Sequence, residues 1–265
     1  MIEKELLDLS IYAAIKSGDI LKDGFGTSYA VHSKEGRHNL VTEFDIKSEQ
    51  SIIEFLKKEV PQSDFLAEES GVSSSIGGQS IKWVIDPLDG TVNFAHNIPI
   101  FSISIASLIN NEICTGVIYN PMNGELFKAM KGNGAYFKND KIQVSKTQLL
   151  LDSFLVTGFP YRAGAASNKS AELFIKVVQD GIPIRRLGSA ALDLAYVAAG
   201  RFDGFWEMEL RPWDVAAGTL IVQEAGGVVS QFNGSPYNLG DETILATNGL
   251  IHNEVSNFLI NHYEN

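Results

Sequence analysis

The 265-residue sequence is poor in features that mark several protein classes. Its one cysteine, Cys114, excludes an internal disulfide and any CxxC metal or redox site. No run reaches the ~20 apolar residues of a membrane span, and charges interrupt the N-terminal stretch where a signal peptide would be apolar. Basic residues number 21 against 32 acidic ones, which argues against a surface for nucleic acid or anionic membrane. We therefore expect a cytoplasmic protein without direct nucleic-acid binding.

Common catalytic signatures are missing as well. The sequence has no GxSxG elbow and no GxxxxGK[ST] loop, and its five histidines form no HExxH pattern. Thiol catalysis would depend on Cys114, whose apolar, strand-like surroundings are typical of a small core residue. The excess of acid instead favours a site that holds cations.

The predicted pattern of helices and strands changes near the middle of the chain. In residues 1–145, two amphipathic helical patterns precede short β-rich runs between turn signals, which predicts an α+β half with a largely antiparallel sheet. In residues 146–265, strand and helix patterns alternate, which predicts an α/β half. The length suits one large domain or two intimate ones.

The stretch KWVIDPLDGTVNF ends an apolar run in two carboxylates. A strand here would present Asp86 and Asp89 side by side, and crowded carboxylate oxygens suit Mg²⁺, Mn²⁺ or Ca²⁺. Gly90 and Thr91 follow, and a helix beginning there would offer free N–H groups to a phosphate. The combination favours metal-assisted phosphoryl transfer, although either aspartate could simply cap a helix.

Three further acidic motifs strengthen the metal interpretation. Glu68 and Glu69 follow apolar residues in FLAEES, Asp45 ends LVTEFD, and Asp214 begins an apolar helix in RPWDVAAG. Each alone is typical of a helix cap or a solvated turn. If they converge, these carboxylates repel one another unless cations neutralise them.

The motifs AEES, IDPLDGTVNF and RPWDVAAG, in this order and together with LVTEFD, resemble the inositol monophosphatase family of lithium-sensitive, magnesium-dependent phosphatases. The resemblance covers essentially the whole chain, and its motifs in combination are far more specific than one short motif. It implies a layered α/β/α/β/α sandwich of the inositol monophosphatase and fructose-1,6-bisphosphatase type, commonly a homodimer. It also implies hydrolysis of a phosphate monoester with two or three Mg²⁺ ions.

The same resemblance implies metal ligands. Glu68 and Asp86, with the Leu88 carbonyl, resemble the ligands of a first ion, and Glu68 also lies near a third. Asp86, Asp89 and Asp214 resemble the ligands of the second. Residues 1–145 would then carry most ligands and 146–265 the substrate-facing groups of one compact catalytic unit.

The resemblance assigns the remaining chemistry to a few residues. Asp45 and Thr91, in a catalytic group with Glu68, resemble the pair that orients and deprotonates the attacking water. The backbone N–H groups of Gly90 and Thr91 would bind the phosphate.

Substrate contacts follow from the resemblance in the same way. The segment Gly188-Ser189-Ala190 resembles the wall that meets the alcohol portion, Glu207 resembles a ligand of its hydroxyls, and Asp89 and Asp214 would also adjoin the substrate. The competing interpretations are a turn at Gly188-Ser189 and an exposed carboxylate at Glu207.

Substrate identity stays open in the sequence. Lys34, in a loop with Arg37, aligns with a lysine-bearing loop that approaches the metals in relatives, or is a solvated surface charge. Arg185 and Arg186 could meet a second phosphate or pair with acids across a dimer interface. In the first case fructose 1,6-bisphosphate, a 3′-phosphoadenosine nucleotide or NADP become candidate substrates beside inositol 1-phosphate. A third hypothesis, from another class, is an accessory protein in RNA processing, as some relatives are.

Overall fold

The computed structural model describes residues 2–33, 40–73, 81–160 and 164–263. The predicted amphipathic helices open the chain, with a short antiparallel strand pair between them. These first elements are α1 (Ile2–Gly24), β1 (Val31–Ser33), β2 (Leu40–Thr42) and α2 (Glu43–Glu59). Among the described residues, no helix combines the length and apolar character needed to cross a bilayer.

The β-rich runs that follow form a sheet of eight described strands in the order β10-β9-β8-β7-β6-β5-β3-β4. All its strand pairs are antiparallel except β3 with β5, in agreement with the prediction of a largely antiparallel sheet. Its elements are β3 (Asp64–Ala67), β4 (Gly71–Ser73), β5 (Ile81–Asp89), α3 (Thr91–Ala95), β6 (Ser102–Ile109), β7 (Glu112–Asn120), β8 (Glu125–Met130), β9 (Ala135–Phe137) and β10 (Asp140–Ile142).

The second half alternates helices and strands as predicted, beginning with a 3₁₀ turn over Leu150–Asp152. Its described strands form a mixed sheet in the order β12-β11-β13-β15-β14, with β11 parallel to both neighbours. The elements are β11 (Leu155–Thr157), α4 (Ala165–Gln179), β12 (Ile184–Arg185), α5 (Ala190–Ala198), β13 (Gly204–Met208), α6 (Pro212–Glu224), β14 (Val228–Ser230), β15 (Thr243–Thr247) and α7 (His252–Tyr263).

Both faces of each sheet are buried against helices, and this burial gives the order of the helical and sheet layers. On β5, Trp83 and Ile85 pack in the core under α1 and α2, whereas Val84 packs on the opposite face with residues of α5 and α6. On β11, Val156 faces α5 and α6, and Leu155 faces α4 and α7. Because side chains alternate along a strand, each sheet lies between two helical layers. The predicted α/β/α/β/α sandwich is confirmed, with α5 and α6 as its middle layer.

Candidate active site

The end of β5 carries the paired aspartates on one face of the sheet. Asp86 lies opposite Ser104 of β6 and Asp89 opposite Ser102, so β5 has one extra residue there. Proline cannot donate to the ladder, and Pro87 sits within this bulge. In a regular strand, side chains three residues apart point to opposite faces, and the bulge brings both carboxylates to the α5–α6 side.

A left-handed glycine then turns the chain into α3. Gly90 has φ 96°, and a Cβ on it would lie 3.1 Å from the carbonyl oxygens of both Gly188 and Ile100. Glycine alone fits this conformation and this close approach. The short helix α3 begins at the next residue, Thr91, and both Gly90 and Thr91 line the cavity beside the aspartates.

Asp45 uses its two carboxylate oxygens for two different contacts. Oδ2 accepts hydrogen bonds from the backbone N–H and the hydroxyl of Thr42, at 2.7 and 2.6 Å, which caps α2. Oδ1 accepts a hydrogen bond from the Thr91 hydroxyl at 2.9 Å. The Thr91 hydroxyl oxygen also lies 3.0 Å from the Leu88 carbonyl oxygen. The cap and the contact with Thr91 therefore coexist in one buried side chain.

Asp214 is held at the start of α6 in a similar way. Its Oδ2 accepts a hydrogen bond from the Arg211 backbone N–H at 2.7 Å, and Pro212 occupies the first turn. The Ser104 hydroxyl lies 3.3 Å from the Trp213 carbonyl and ties this helix start to β6. The motif RPWD thus anchors a carboxylate next to the end of β5.

One cavity of about 530 Å³ is lined, among other residues, by four carboxylates from three segments of the chain: Glu68, the β5 pair Asp86 and Asp89, and Asp214. Burial raises the pKa of Asp86 and of Asp214 well above the usual value, and Glu68 adds like-charge repulsion to both. Burial likewise raises the pKa of Asp89 to about 6, although hydrogen bonds from Ser189 and Ala191 oppose the rise. Repulsion of this kind is what bound cations relieve.

The donor chemistry of this group fits hard divalent cations, because every side chain offers only carboxylate oxygen. In the described segments, no three acidic, histidine or cysteine side chains stand in an arrangement that could hold a metal ion. The fit therefore depends on the type and convergence of the donors, which match Mg²⁺ rather than a soft metal.

Two further residues on α2 support the acidic segments, and the sequence interpretation missed both. The Ser48 hydroxyl donates to the Pro87 carbonyl at 2.8 Å. Glu49 is buried and accepts the backbone N–H groups of Glu69 and Ser70, each at 2.8 Å. Together with Asp45, they recur at positions i, i+3 and i+4, so they share one helix face. Polar residues on the inner face of an amphipathic helix were the available signal.

The predicted substrate wall lies at the start of α5. Gly188 (φ 86°) and Ala190 line the cavity, and Ser189 caps the helix through a 3.4 Å contact with the Leu192 N–H. The Ser189 hydroxyl also donates to Asp89 Oδ2 at 2.5 Å. The segment therefore holds a metal-candidate carboxylate as well as lining the cavity, and Ser189 is the N-cap of α5.

Glu207 on β13 is buried, so the alternative of an exposed carboxylate is wrong. It lines the cavity directly over Gly158, where a Cβ would lie 2.2 Å from Glu207 Oε2. Burial, then Asp214 and Asp89, raise its pKa well above the usual value, and the Arg186 guanidinium partly opposes them.

The basic residues considered for a second phosphate separate in the structure. Arg186 lines the cavity, whereas Arg185 is exposed on β12, with its guanidinium 5.0 Å from the Phe154 ring centre. Arg185 is not one of the described residues that line the cavity, so the structure does not support a contact between Arg185 and a second phosphate there. Lys34 and Arg37 lie outside the described residues.

Comparison with known proteins gives concordant findings. The sequence profile of the inositol monophosphatase family matches residues 3–264. The chain is 42% identical over 244 residues to a protein of Escherichia coli (strain K12) named Nus factor SuhB, covering 92% of this chain and 91% of that protein. It is 43% identical over 255 residues to a protein of Synechocystis sp. named inositol-1-monophosphatase, covering 96% and 88%.

A solved structure shows the same architecture. The extragenic suppressor protein suhB of Bartonella henselae superposes with a TM-score of 0.91 at 40% identity. The superposition covers 96% of this chain and 98% of that one.

Proposed function

The chain belongs to the inositol monophosphatase family, and from this premise we propose that it hydrolyses small phosphate monoesters with Mg²⁺. Family membership indicates a phosphatase. The finer proposal is that the substrates resemble inositol 1-phosphate and that water attacks the phosphorus. The observation that carries it is the convergence of four carboxylates on a cavity that Thr91 also lines.

The ions would be held by the side chains of Glu68, Asp86, Asp89 and Asp214 and by the Leu88 carbonyl, with two or three ions in the site. When bound, Mg²⁺ neutralises the phosphate dianion, lowers the pKa of a water molecule and stabilises the leaving alkoxide. The protein would contribute the location of these donors: the bulge after Asp86 and the hydrogen bonds to Asp89 and Asp214 hold the carboxylates beside the cavity.

The Asp45–Thr91 pair supplies the acceptor for the water's proton. The Thr91 hydroxyl can donate to Asp45 Oδ1 while accepting from water, so a proton can pass from water to the carboxylate. Burial raises the pKa of Asp45 to about 6, against the hydrogen bonds from Thr42 and Thr91. A base with this pKa is ionised at neutral pH and still basic enough to accept a proton.

Phosphate and alcohol would occupy different walls of the cavity. The backbone N–H groups of Gly90 and Thr91 would bind the phosphate, and Gly188-Ser189-Ala190 with Glu207 would contact the alcohol portion; all of these residues line the cavity. Catalysis then depends on charges that are positioned before the substrate binds.

The testing experiment is phosphate release from inositol 1-phosphate, fructose 1,6-bisphosphate, a 3′-phosphoadenosine nucleotide and NADP, with and without Mg²⁺. Wild type is compared with Asp89→Asn and with Asp180→Asn, a control at an exposed aspartate at the end of α4. We expect Mg²⁺-dependent release from wild type and the control, and a fall of about 100-fold or more in Asp89→Asn. Equal turnover in all three proteins would reject the site.

Two alternatives have support of their own. Arg186 in the cavity wall offers a cation to a second phosphate, which keeps bisphosphates and phosphorylated nucleotides in the panel. The relatives named Nus factor SuhB support a role as an accessory protein. A wild type that releases phosphate from no ester, yet copurifies with one specific protein partner, would favour that role.

A further inference from the structure

Asn93, on the short helix α3, joins two walls of the cavity, although it is not one of the described residues that line the cavity. Its side-chain NH₂ group donates to the Ile100 carbonyl at 2.7 Å and to the Leu187 carbonyl at 2.8 Å. Leu187 lies 94 residues further along the chain, directly before Gly188. The sequence motifs assign this asparagine no role.

The carbonyl groups that Asn93 holds lie where three backbone segments meet. A Cβ on Gly90 would lie 3.1 Å from the carbonyl oxygens of both Ile100 and Gly188. A Cβ on Gly188 would in turn lie 3.0 Å from the Asn93 side-chain nitrogen. The turn after β5 and the segment before α5 are therefore in close contact, and the Asn93 side chain fastens this contact with hydrogen bonds.

An amide NH₂ group suits this position because it carries two hydrogens and both of its close acceptors are carbonyl oxygens. The turn has a separate anchor, since the Thr91 hydroxyl donates to Asp45. Gly188 has an anchor on its C-terminal side, where Ser189 donates to Asp89. Without the Asn93 amide, the N-terminal side of Gly188 would lose its hydrogen bond to the turn, and the wall could shift relative to the turn.

We propose that Asn93 is a positioning residue that fixes the separation between the turn at Gly90 and the wall at Gly188. The inference rests on the proposed function, in which the turn binds the phosphate and the wall contacts the rest of the ester. A substrate that spans both walls binds well only when their separation matches its length, whereas inorganic phosphate occupies the turn alone. Asn93 therefore acts on the affinity for the substrate, through the backbone, and not on the chemical step.

The test compares wild type with Asn93→Ala in KM and kcat for inositol 1-phosphate and in the inhibition constant of inorganic phosphate. We expect KM to rise about fivefold or more, the scale of one or two lost hydrogen bonds, while kcat and the inhibition constant stay within about twofold. Exchange mass spectrometry should show faster hydrogen exchange in residues 187–192, which include the bonded amides of Ala191 and Leu192. The matched control is Asn123→Ala, at an exposed residue in the turn between β7 and β8.

Other outcomes would overturn the inference. Equal rises in KM and in the inhibition constant would mean that Asn93 shapes the turn alone, and a fall in kcat with KM unchanged would mean that it acts on the chemistry. Equal exchange in wild type and Asn93→Ala would mean that the two segments keep their contact without the amide. Failure of wild type to hydrolyse any ester would remove the proposed function and the effect on the substrate, whereas the exchange result separately supports or rejects the link between the segments.

A second variant keeps the test open if Asn93→Ala does not fold. Asn93→Ser retains a shorter donor that reaches the two carbonyls only through water, so it should show the same pattern more weakly. Thermal unfolding checks the folding of both variants. A serine variant that folds and matches wild type in KM and in exchange would reject the role of the amide.

Discussion

The Glu49 carboxylate accepts a hydrogen bond from the backbone N–H of Glu69, with Oε2 2.8 Å from the nitrogen. Its other oxygen accepts the next N–H along the chain, from Ser70. Glu49 thereby clamps the turn that immediately follows Glu68, a cavity-lining carboxylate. A helix residue outside the cavity lining thus fixes the backbone from which a candidate metal ligand projects.

Glu49→Gln should weaken this clamp, because an amide keeps one acceptor oxygen and brings an NH₂ group against a backbone N–H. We expect faster hydrogen exchange at the amides of Glu69 and Ser70, and a several-fold higher Mg²⁺ concentration for half-maximal activity. Exchange mass spectrometry and Mg²⁺ titration measure the two effects. The matched control is Glu43→Gln on the same helix, where the carboxylate is exposed and pairs with Lys47. Identical exchange in both variants would refute the clamp.

Gly158→Ala should displace Glu207, since the added methyl would overlap its carboxylate at 2.2 Å. The carboxylate is the far end of a flexible side chain beside the cavity, so it should move rather than the backbone, and we expect the KM for inositol 1-phosphate to rise about tenfold or more. Steady-state kinetics provide the measurement. Gly164→Ala is the control, because a Cβ there would meet nothing within 4 Å. An unchanged KM in Gly158→Ala would show that Glu207 does not contact the substrate.

Local patterns predicted the α+β half, the α/β half and the acidic segments, whereas the layered sandwich was predicted from the resemblance to the family. Helical spacing in α1 and α2 and the β-rich runs are visible in windows of a few residues. A carboxylate directly after an apolar run, such as Asp86, marks a strand end in the same way.

Residues whose roles depend on distant contacts were not predictable in this way. Glu49 matters because it meets a turn 20 residues away, and Gly158 because it supports Glu207 on another strand. Asn93 matters because its amide meets a carbonyl 94 residues away. The one-residue bulge after Asp86 depends on pairing with β6, which no local pattern specifies.

Thr91→Val should impair the chemical step without disturbing the cap of α2. Valine has a similar shape but no hydroxyl, so the link from water to Asp45 Oδ1 is lost, while Oδ2 still accepts from Thr42. We expect kcat to fall about 100-fold or more, the usual scale for positioned acid–base groups. Thr91→Ser restores the hydroxyl and should recover most of the rate. Kinetics at saturating Mg²⁺ test this, and equal rates for valine and serine would exclude a role for the hydroxyl.

Asp89 should make the metal-free protein less stable as pH rises. Its pKa is about 6 in the folded protein against a usual 3.8, chiefly through burial, so folding favours the protonated form. The associated stability is fully present below pH 3.8 and is lost as pH rises through about 6. With a chelator present, wild type should therefore lose a few degrees of Tm across this range relative to Asp89→Asn, which has no charge to bury. Saturating Mg²⁺ should restore the Tm of wild type at neutral pH and have a smaller effect on the variant. Thermal unfolding at a series of pH values measures both, and parallel curves for the two proteins would show that Asp89 carries no such penalty.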